Sequence, residues 1–167
     1  MILRPAAISD ARALLALIRE VLAEPGVNIP IAPDEFTFTP EEERARIEEL
    51  ATSSRARLLV ADEAGELAGE LTIRPVATRR ALAHVATLGM TVRERWRRRG
   101  IGRALLGEAL AWATTAGYTR IELNVYARNT AAIALYEQLG FEHEGRRRRF
   151  IREGDTYLDD LIMARLL

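Results

Sequence analysis

The chain contains no cysteine, and its 24 basic residues are all arginine, lysine being absent. Without cysteine there is no disulfide framework, no thiolate zinc or iron–sulfur site and no Cys nucleophile. Aromatic residues are sparse at 6%. No window approaches the roughly 20 consecutive apolar residues that a membrane helix needs. The opening MILRPAAISDAR carries charge at Arg4, Asp10 and Arg12 and has no apolar core, so it reads as neither a signal peptide nor an anchor. The expectation is a cytoplasmic protein that does not engage a membrane. Excess charge of one sign is also missing, because 24 acidic residues balance the 24 arginines. A neutral chain is not built as a general nucleic-acid binder.

What is present suits one folded unit. A chain of 167 residues, 49% hydrophobic, supports one domain with a sizeable core, so residues 1–167 read as a single domain. Its charge is patchy. Asp34–Glu49 holds seven acids and two arginines, Arg93–Arg103 holds six arginines against Glu94, and Arg146–Arg149 is an unbroken run of four. Codon bias accounts for a lysine-free composition. It does not account for crowding, and arginine's planar fork is suited to phosphate.

Periodicity and turn chemistry give a coarse element order. Ile2–Arg4 reads as a strand, and Ser9 as the N-cap of a helix with Leu14, Leu17, Ile18 and Val21 on one face. Glu24–Pro40 reads as a loop, and Thr39-Pro40-Glu41-Glu42 as a capping box that starts a helix running to about Ala51. The acids of that helix are expected mostly on an exposed face, where they could also attract a cation. Leu58–Ala61, Leu67–Arg74 and Leu82–Val92 read as strands. Gly100–Ala116 is a strongly periodic helix, Ile121–Tyr126 a strand, and Asn129 caps a further helix stopped by Gly140. Phe141–Ile151 and Tyr157–Leu166 read as closing strands, with Arg146–Arg149 alternating between faces. The order implies a mixed α/β (α+β) domain around one main sheet.

The segment from Val92 to Leu106 places a basic, glycine-bearing loop between a strand and a helix start. Gly100 and Gly102 allow close backbone approach, and the free N–H groups of a helix start, with its dipole, favour an anion. Arg97, Arg98, Arg99 and Arg103 add forked donors. Physically this is a diphosphate cradle. It lacks the Lys-Ser/Thr of a nucleoside-triphosphate loop, which argues against Mg-dependent phosphoryl transfer, and it is not G-x-G-x-x-G. No metal site is expected.

R-x-x-G-x-G at Arg97–Gly102, followed by N-x-x-A-x-x-L-Y-x-x-x-G-F at Asn129–Phe141, resembles the GNAT superfamily of acetyl-CoA-dependent N-acetyltransferases. The close resemblance spans about Leu88–Phe141 and the element order extends it. It implies a mostly antiparallel sheet whose fourth and fifth strands splay apart, with about four helices. It also implies that backbone groups near Met90, Thr91 and Val92 meet the acetyl carbonyl and the pantetheine arm. The amides of Arg98, Arg99, Gly100, Ile101, Gly102, Arg103 and Ala104 would hold the pyrophosphate. Asn129 would touch the cofactor arm, and Tyr136 would be the general acid and lie against the cofactor. The tail from Glu144 to Met163 resembles a subgroup spanning ribosomal-protein N-terminal, spermidine, and amino-acid or phosphinothricin acetyltransferases. A small-molecule amine such as an amino acid is the leading acceptor, with a protein N-terminus or a polyamine as the alternative. A non-catalytic acyl-CoA sensor is the contrasting class, and homodimers are common in the family.

The general base stays open among three residues. Glu70 follows Gly69 near the expected acceptor side, His84 begins the cofactor strand with a side chain suited to base work near neutral pH, and Glu122 is a third choice. Thr87 stands where some relatives place a glutamate. His143 reads as a surface histidine.

Overall fold

In the computed structural model, which describes Met1–Leu167, the chain runs β1 (Ile2–Pro5), α1 (Ala11–Leu22), α2 (Pro40–Thr52), β2 (Arg57–Glu63), β3 (Glu66–Pro75), β4 (Val85–Val92), α3 (Ile101–Thr115), β5 (Arg120–Tyr126), α4 (Thr130–Gln138), β6 (Glu142–Glu153) and β7 (Thr156–Leu166). The seven strands form one sheet in the order β1-β2-β3-β4-β5-β7-β6. Every neighbouring pair is antiparallel except β4 and β5. Those two are parallel, so the chain must cross over between them, and α3 is that crossover.

Strand alternation divides the core between the two faces of the sheet. Leu59, Leu71, Ile73, Leu88, Ile121 and Leu123 pack with Leu105, Leu106 and Ala109 of α3 and Tyr136 of α4 in a cluster of 20 buried residues. The opposite register of β2, Leu58 and Val60, packs with Leu14 and Leu17 of α1 and Ile47 of α2 in a second cluster of 8. The sheet therefore has α3 and α4 on one side and α1 and α2 on the other. No helix is long and apolar enough to cross a membrane.

Several elements follow the sequence closely. Thr39 and Glu42 form the reciprocal capping box, with Thr39 Oγ1 accepting from the Glu42 N–H at 3.2 Å and Glu42 Oε2 accepting from the Thr39 N–H at 2.8 Å. Asn129 Oδ1 accepts from the Ala132 N–H at 3.3 Å and caps α4.

Four expectations change. Ser9 caps nothing, because Ile8–Asp10 forms a single 3-10 turn and Asp10 supplies the capping carboxylate, accepting from the Ala7 N–H at 2.7 Å. Asp10 is held there by Arg4, a tertiary partner that local pattern does not show. Leu82–His84 is not strand: Arg80–Leu82 turns as 3-10 helix and β4 begins only at Val85. The Arg146–Arg149 run does not alternate regularly, since the β6–β7 register breaks between Arg147 and Ile151 and Arg149 takes φ 53°. There Arg146 and Arg147 pair with Asp159 and Asp160, while Arg149 lies 4.2 Å over the Tyr157 ring. Finally, Glu43 of the acidic helix is buried at 1% exposure instead of solvated.

Leu105 is fully buried between α3 and the sheet. Leu105→Ala should cost about 2–5 kcal/mol in a chemical denaturation series. A loss below about 0.5 kcal/mol would contradict the packing described, because that is the range of surface substitutions.

Candidate functional site

β4 and β5 pair at only three positions, Val85 with Arg120, Ala86 with Ile121 and Thr87 with Glu122. Beyond Thr87 the strands part. On its other side β4 stays paired with β3 through Val92. The β5-facing edge of Leu88–Val92 is thus left open, with backbone donors and acceptors that the sheet does not use. A cavity of about 800 Å³ occupies this opening. Met90, Thr91 and Val92 line it from β4, Asn124 and Val125 from β5, and Asn129 and Tyr136 from the β5–α4 connection and α4.

The loop between β4 and α3 closes one end. Arg98 has φ 63° and Gly100 φ 83°, so the chain turns through two left-handed residues before entering the helix. Glycine removes the steric penalty at the second of these. The first hydrogen bond of α3 runs from the Ala104 N–H to the Gly100 carbonyl at 3.0 Å. The N–H groups of Ile101, Gly102 and Arg103 therefore remain without helical partners, and those of Arg98, Arg99 and Gly100 donate to no backbone carbonyl. This row of free donors, at the positive end of a helix dipole, fits an anionic diphosphate. Gly102 has a packing reason as well: a Cβ there would lie 3.1 Å from Leu135 Cδ2 and 3.3 Å from Met90 Cε.

The arginines divide. Arg97 donates through Nε to the Val92 carbonyl at 2.9 Å and pairs with Glu24, while Arg103 donates to Gln138. Arg97, Arg98 and Arg103 line the cavity; Arg99 does not, its guanidinium lying 4.9 Å over the Trp96 ring. Ala104 is also outside the lining, and its N–H is already spent in the helix. Two buried polar atoms of lining residues, Glu24 Oε1 and Trp96 Nε1, have no hydrogen-bond partner within the protein. The open donors, the Trp96 indole N–H and the unpaired strand edge are features that an extended ligand with a diphosphate would satisfy, whereas Glu24 Oε1 calls for a donor.

Two buried titratable side chains face this cavity from opposite sides of the sheet. Tyr136 comes from the α4 side, is 7% exposed, and packs at a tilt against Phe141 with ring centroids 5.7 Å apart. Its hydroxyl makes no hydrogen bond within the protein, and burial pushes the phenol up to about 12, so it is a neutral donor at physiological pH. Glu70 lies directly across from Val60 on β2, which places its side chain on the α1/α2 face. It is also 7% exposed. Burial raises its carboxyl above the ordinary value, opposed by the positive charge of Arg46 and by the hydroxyls of Thr91 and Thr72, of which Thr72 donates to Glu70 Oε2 at 3.3 Å.

The other proposed bases fall elsewhere. His84 is exposed, precedes β4 and does not line the cavity. Glu122 pairs with Arg120 at 3.3 Å and also lies outside. His143 bonds Glu137 at the surface, 2.9 Å away. No group of three or more His, Cys, Asp or Glu side chains is placed to hold a metal ion.

Other lining residues were hidden in the sequence. Glu24–Pro30, from the long α1–α2 connection, walls the cavity. Arg128 ties that wall down, donating to Asn28 Oδ1 at 2.8 Å and the Val27 carbonyl at 3.0 Å while gripping Glu153 with two further bonds. The proline and glycine of this stretch signal a loop, but nothing local signals a partner about a hundred residues away. Thr72 and Trp96 likewise needed the fold to bring them in.

Comparison with known proteins agrees with this geometry. The Escherichia coli L-amino acid N-acetyltransferase AaaT is 37% identical over 120 residues, covering 71% of this chain and 74% of that protein. The ribosomal protein bS18-alanine N-acetyltransferase of Salmonella typhimurium is 42% identical over 69 residues, covering 41% of this chain and 47% of that one. A crystal structure of a GNAT-family acetyltransferase from Streptococcus pneumoniae superposes with a TM-score of 0.94 at 30% identity, covering 99% of each chain. With residues 18–141 matching its family model, the chain belongs to the acetyltransferase (GNAT) family.

Proposed function

We propose that the protein transfers the acetyl group of acetyl-CoA directly to the primary amine of a small molecule such as an amino acid or an analogue. That it is an acetyl-CoA-dependent acyltransferase follows from its family; the acceptor and the working residues are the proposal. The observation that carries the reading is the arrival of a buried acid, Tyr136, and a buried carboxylate, Glu70, at one cavity from opposite faces of the sheet.

The thioester supplies the acetyl group, and the free N–H groups of Arg98–Arg103 hold the diphosphate of its carrier. An N–H on the open edge near Met90–Val92 stabilises the negative charge that develops on the acetyl carbonyl oxygen as the amine attacks. One such donor is typically worth about a hundred-fold in rate. An alkylammonium has a pKa of about 10, so the amine must lose a proton before it attacks. Glu70 accepts that proton, directly or through water. Tyr136 donates its hydroxyl proton to the departing sulfur and is restored by the second proton, which the amine nitrogen loses as the amide forms. The chain has no cysteine to carry an acyl group itself, and the transfer needs none. A small acceptor suits a cavity walled by a loop that Arg128 pins in place, and it agrees with the activity in the name of the relative from E. coli.

A protein N-terminus or a polyamine is the second reading, favoured by the match over 69 residues to a ribosomal-protein-alanine acetyltransferase. Thiol release from acetyl-CoA against amino acids, polyamines, aminoglycosides and N-terminal peptides separates the two. Fastest release with amino acids supports the first reading and fastest release with peptides or polyamines the second. Tight acetyl-CoA binding with no release on any amine would make the protein a sensor instead.

Tyr136→Phe should lower kcat about a hundred-fold or more while leaving acetyl-CoA binding intact by calorimetry; an unchanged kcat would remove Tyr136 from the chemistry. Glu70→Gln should lower kcat about a hundred-fold, with the loss greatest where the amine is most protonated. His84→Gln should leave kcat within about twofold, as suits an exposed side chain outside the cavity; a large loss in that variant with none in Glu70→Gln would reverse the assignment of the base.

A further inference from the structure

Glu70 is embedded in a polar cluster that the reaction as described does not use. Behind it, α2 carries a part-buried ion pair: Arg46 donates through Nε to Glu43 Oε2 at 2.9 Å and through Nη2 to Glu43 Oε1 at 2.7 Å. Glu43 is only 1% exposed while Arg46 keeps 28% of its side chain exposed, so the pair bridges the interior and the surface. The third guanidinium nitrogen, Nη1, reaches Thr72 Oγ1 at 3.4 Å, and the Thr72 hydroxyl donates to Glu70 Oε2 at 3.3 Å. Thr72 stands two residues after Glu70 on β3, hence on the same face of the sheet. Thr91 stands directly across on β4, and its hydroxyl also favours the charged form of Glu70. The charged groups that bear on Glu70 are Arg46 and Glu43, both from α2.

We propose that the Glu43–Arg46 pair is a positioning device that sets the proton affinity of Glu70 and, through Thr72, holds its carboxylate toward the cavity, an inference that rests on Glu70 serving as the base. The physics requires some such device. A carboxylate buried alone would stay protonated and could take no proton from the amine. A lone arginine beside it would form a tight pair and leave it too weak a base. Glu43 occupies two nitrogens of Arg46 in a fork, so Glu70 feels an attenuated positive charge. The arrangement is balanced from both sides, and its two members must act on Glu70 in opposite directions.

That opposition supplies the test. The Glu70 side-chain carboxyl is followed by carbon NMR titration in the full chain, assigned by loss of its signal in Glu70→Gln. In parallel, kcat/KM, referred to the neutral amine, is measured against pH with the fastest amine of the acceptor panel. Activity should fall as pH drops through the Glu70 midpoint. Arg46→Met removes the positive charge and should raise both the midpoint and the kinetic limb by about 1 pH unit. Glu43→Gln leaves Arg46 uncompensated and should lower both by a similar amount, and the double variant should lie between. Arg46→Lys keeps the charge and should hold the limb within about 0.3 units. If Glu43→Gln does not fold, the contrast between Arg46→Met and Arg46→Lys carries the test. Midpoints that do not move, or that move the same way in both single variants, overturn the inference. If the limb persists in Glu70→Gln, the assignment of Glu70 as base fails, while the NMR midpoints still report separately on the pair.

Discussion

The structure depends on the early parting of two parallel strands. β4 and β5 hold together for three residue pairs and then separate, although β4 remains paired with β3 to its end. An unused strand edge inside a folded domain is costly unless something else satisfies its polar groups. Here it opens onto a cavity that a helix N-terminus closes at one end and a pinned loop walls on the side. The twenty-residue core under α3 secures the strands where they are paired, so the opening is a stable feature of the fold.

The sheet also separates two kinds of chemistry. On the α3/α4 side, free amides and arginines gather around a left-handed turn, where an anion is favoured. Tyr136, on the same side, is kept neutral by its apolar surroundings. On the α1/α2 side, Glu70 sits within a net-negative group of two carboxylates and one guanidinium, where a cation is favoured. A region that favours an anion and a region that favours a cation thus face each other across one layer of backbone. Tyr136 and Glu70 lie on opposite sides of the opening, which spares them from pairing with each other.

Much of this was legible from local signals. The Thr39–Glu42 capping box, the Asn129 cap and the glycine-bearing helix start at Gly100 each depend on residues a few positions apart, and each formed where expected. The paired motifs around Gly100 and Tyr136 likewise pointed to the cavity that contains them. What the sequence hid was long-range. Arg4 captures Asp10 and displaces Ser9 as a cap. Arg128 reaches back to Val27 and Asn28. The acids of α2 looked mostly solvated, yet Glu43 turns inward because Arg46 gives it a partner and Thr72 gives Arg46 another. His84 drew notice for its side chain type, and a 3-10 turn left it outside the strand it was expected to begin.

The opening between β4 and β5 is the central claim, and backbone amide signals report on it directly. Adding acetyl-CoA to the uniformly labelled protein should shift the amides of Met90–Val92 and Arg98–Arg103 strongly and slow their exchange with solvent, with Arg120–Glu122 in the paired part of β5 little changed. Shifts confined to other surfaces, with these two segments unmoved, would contradict the account.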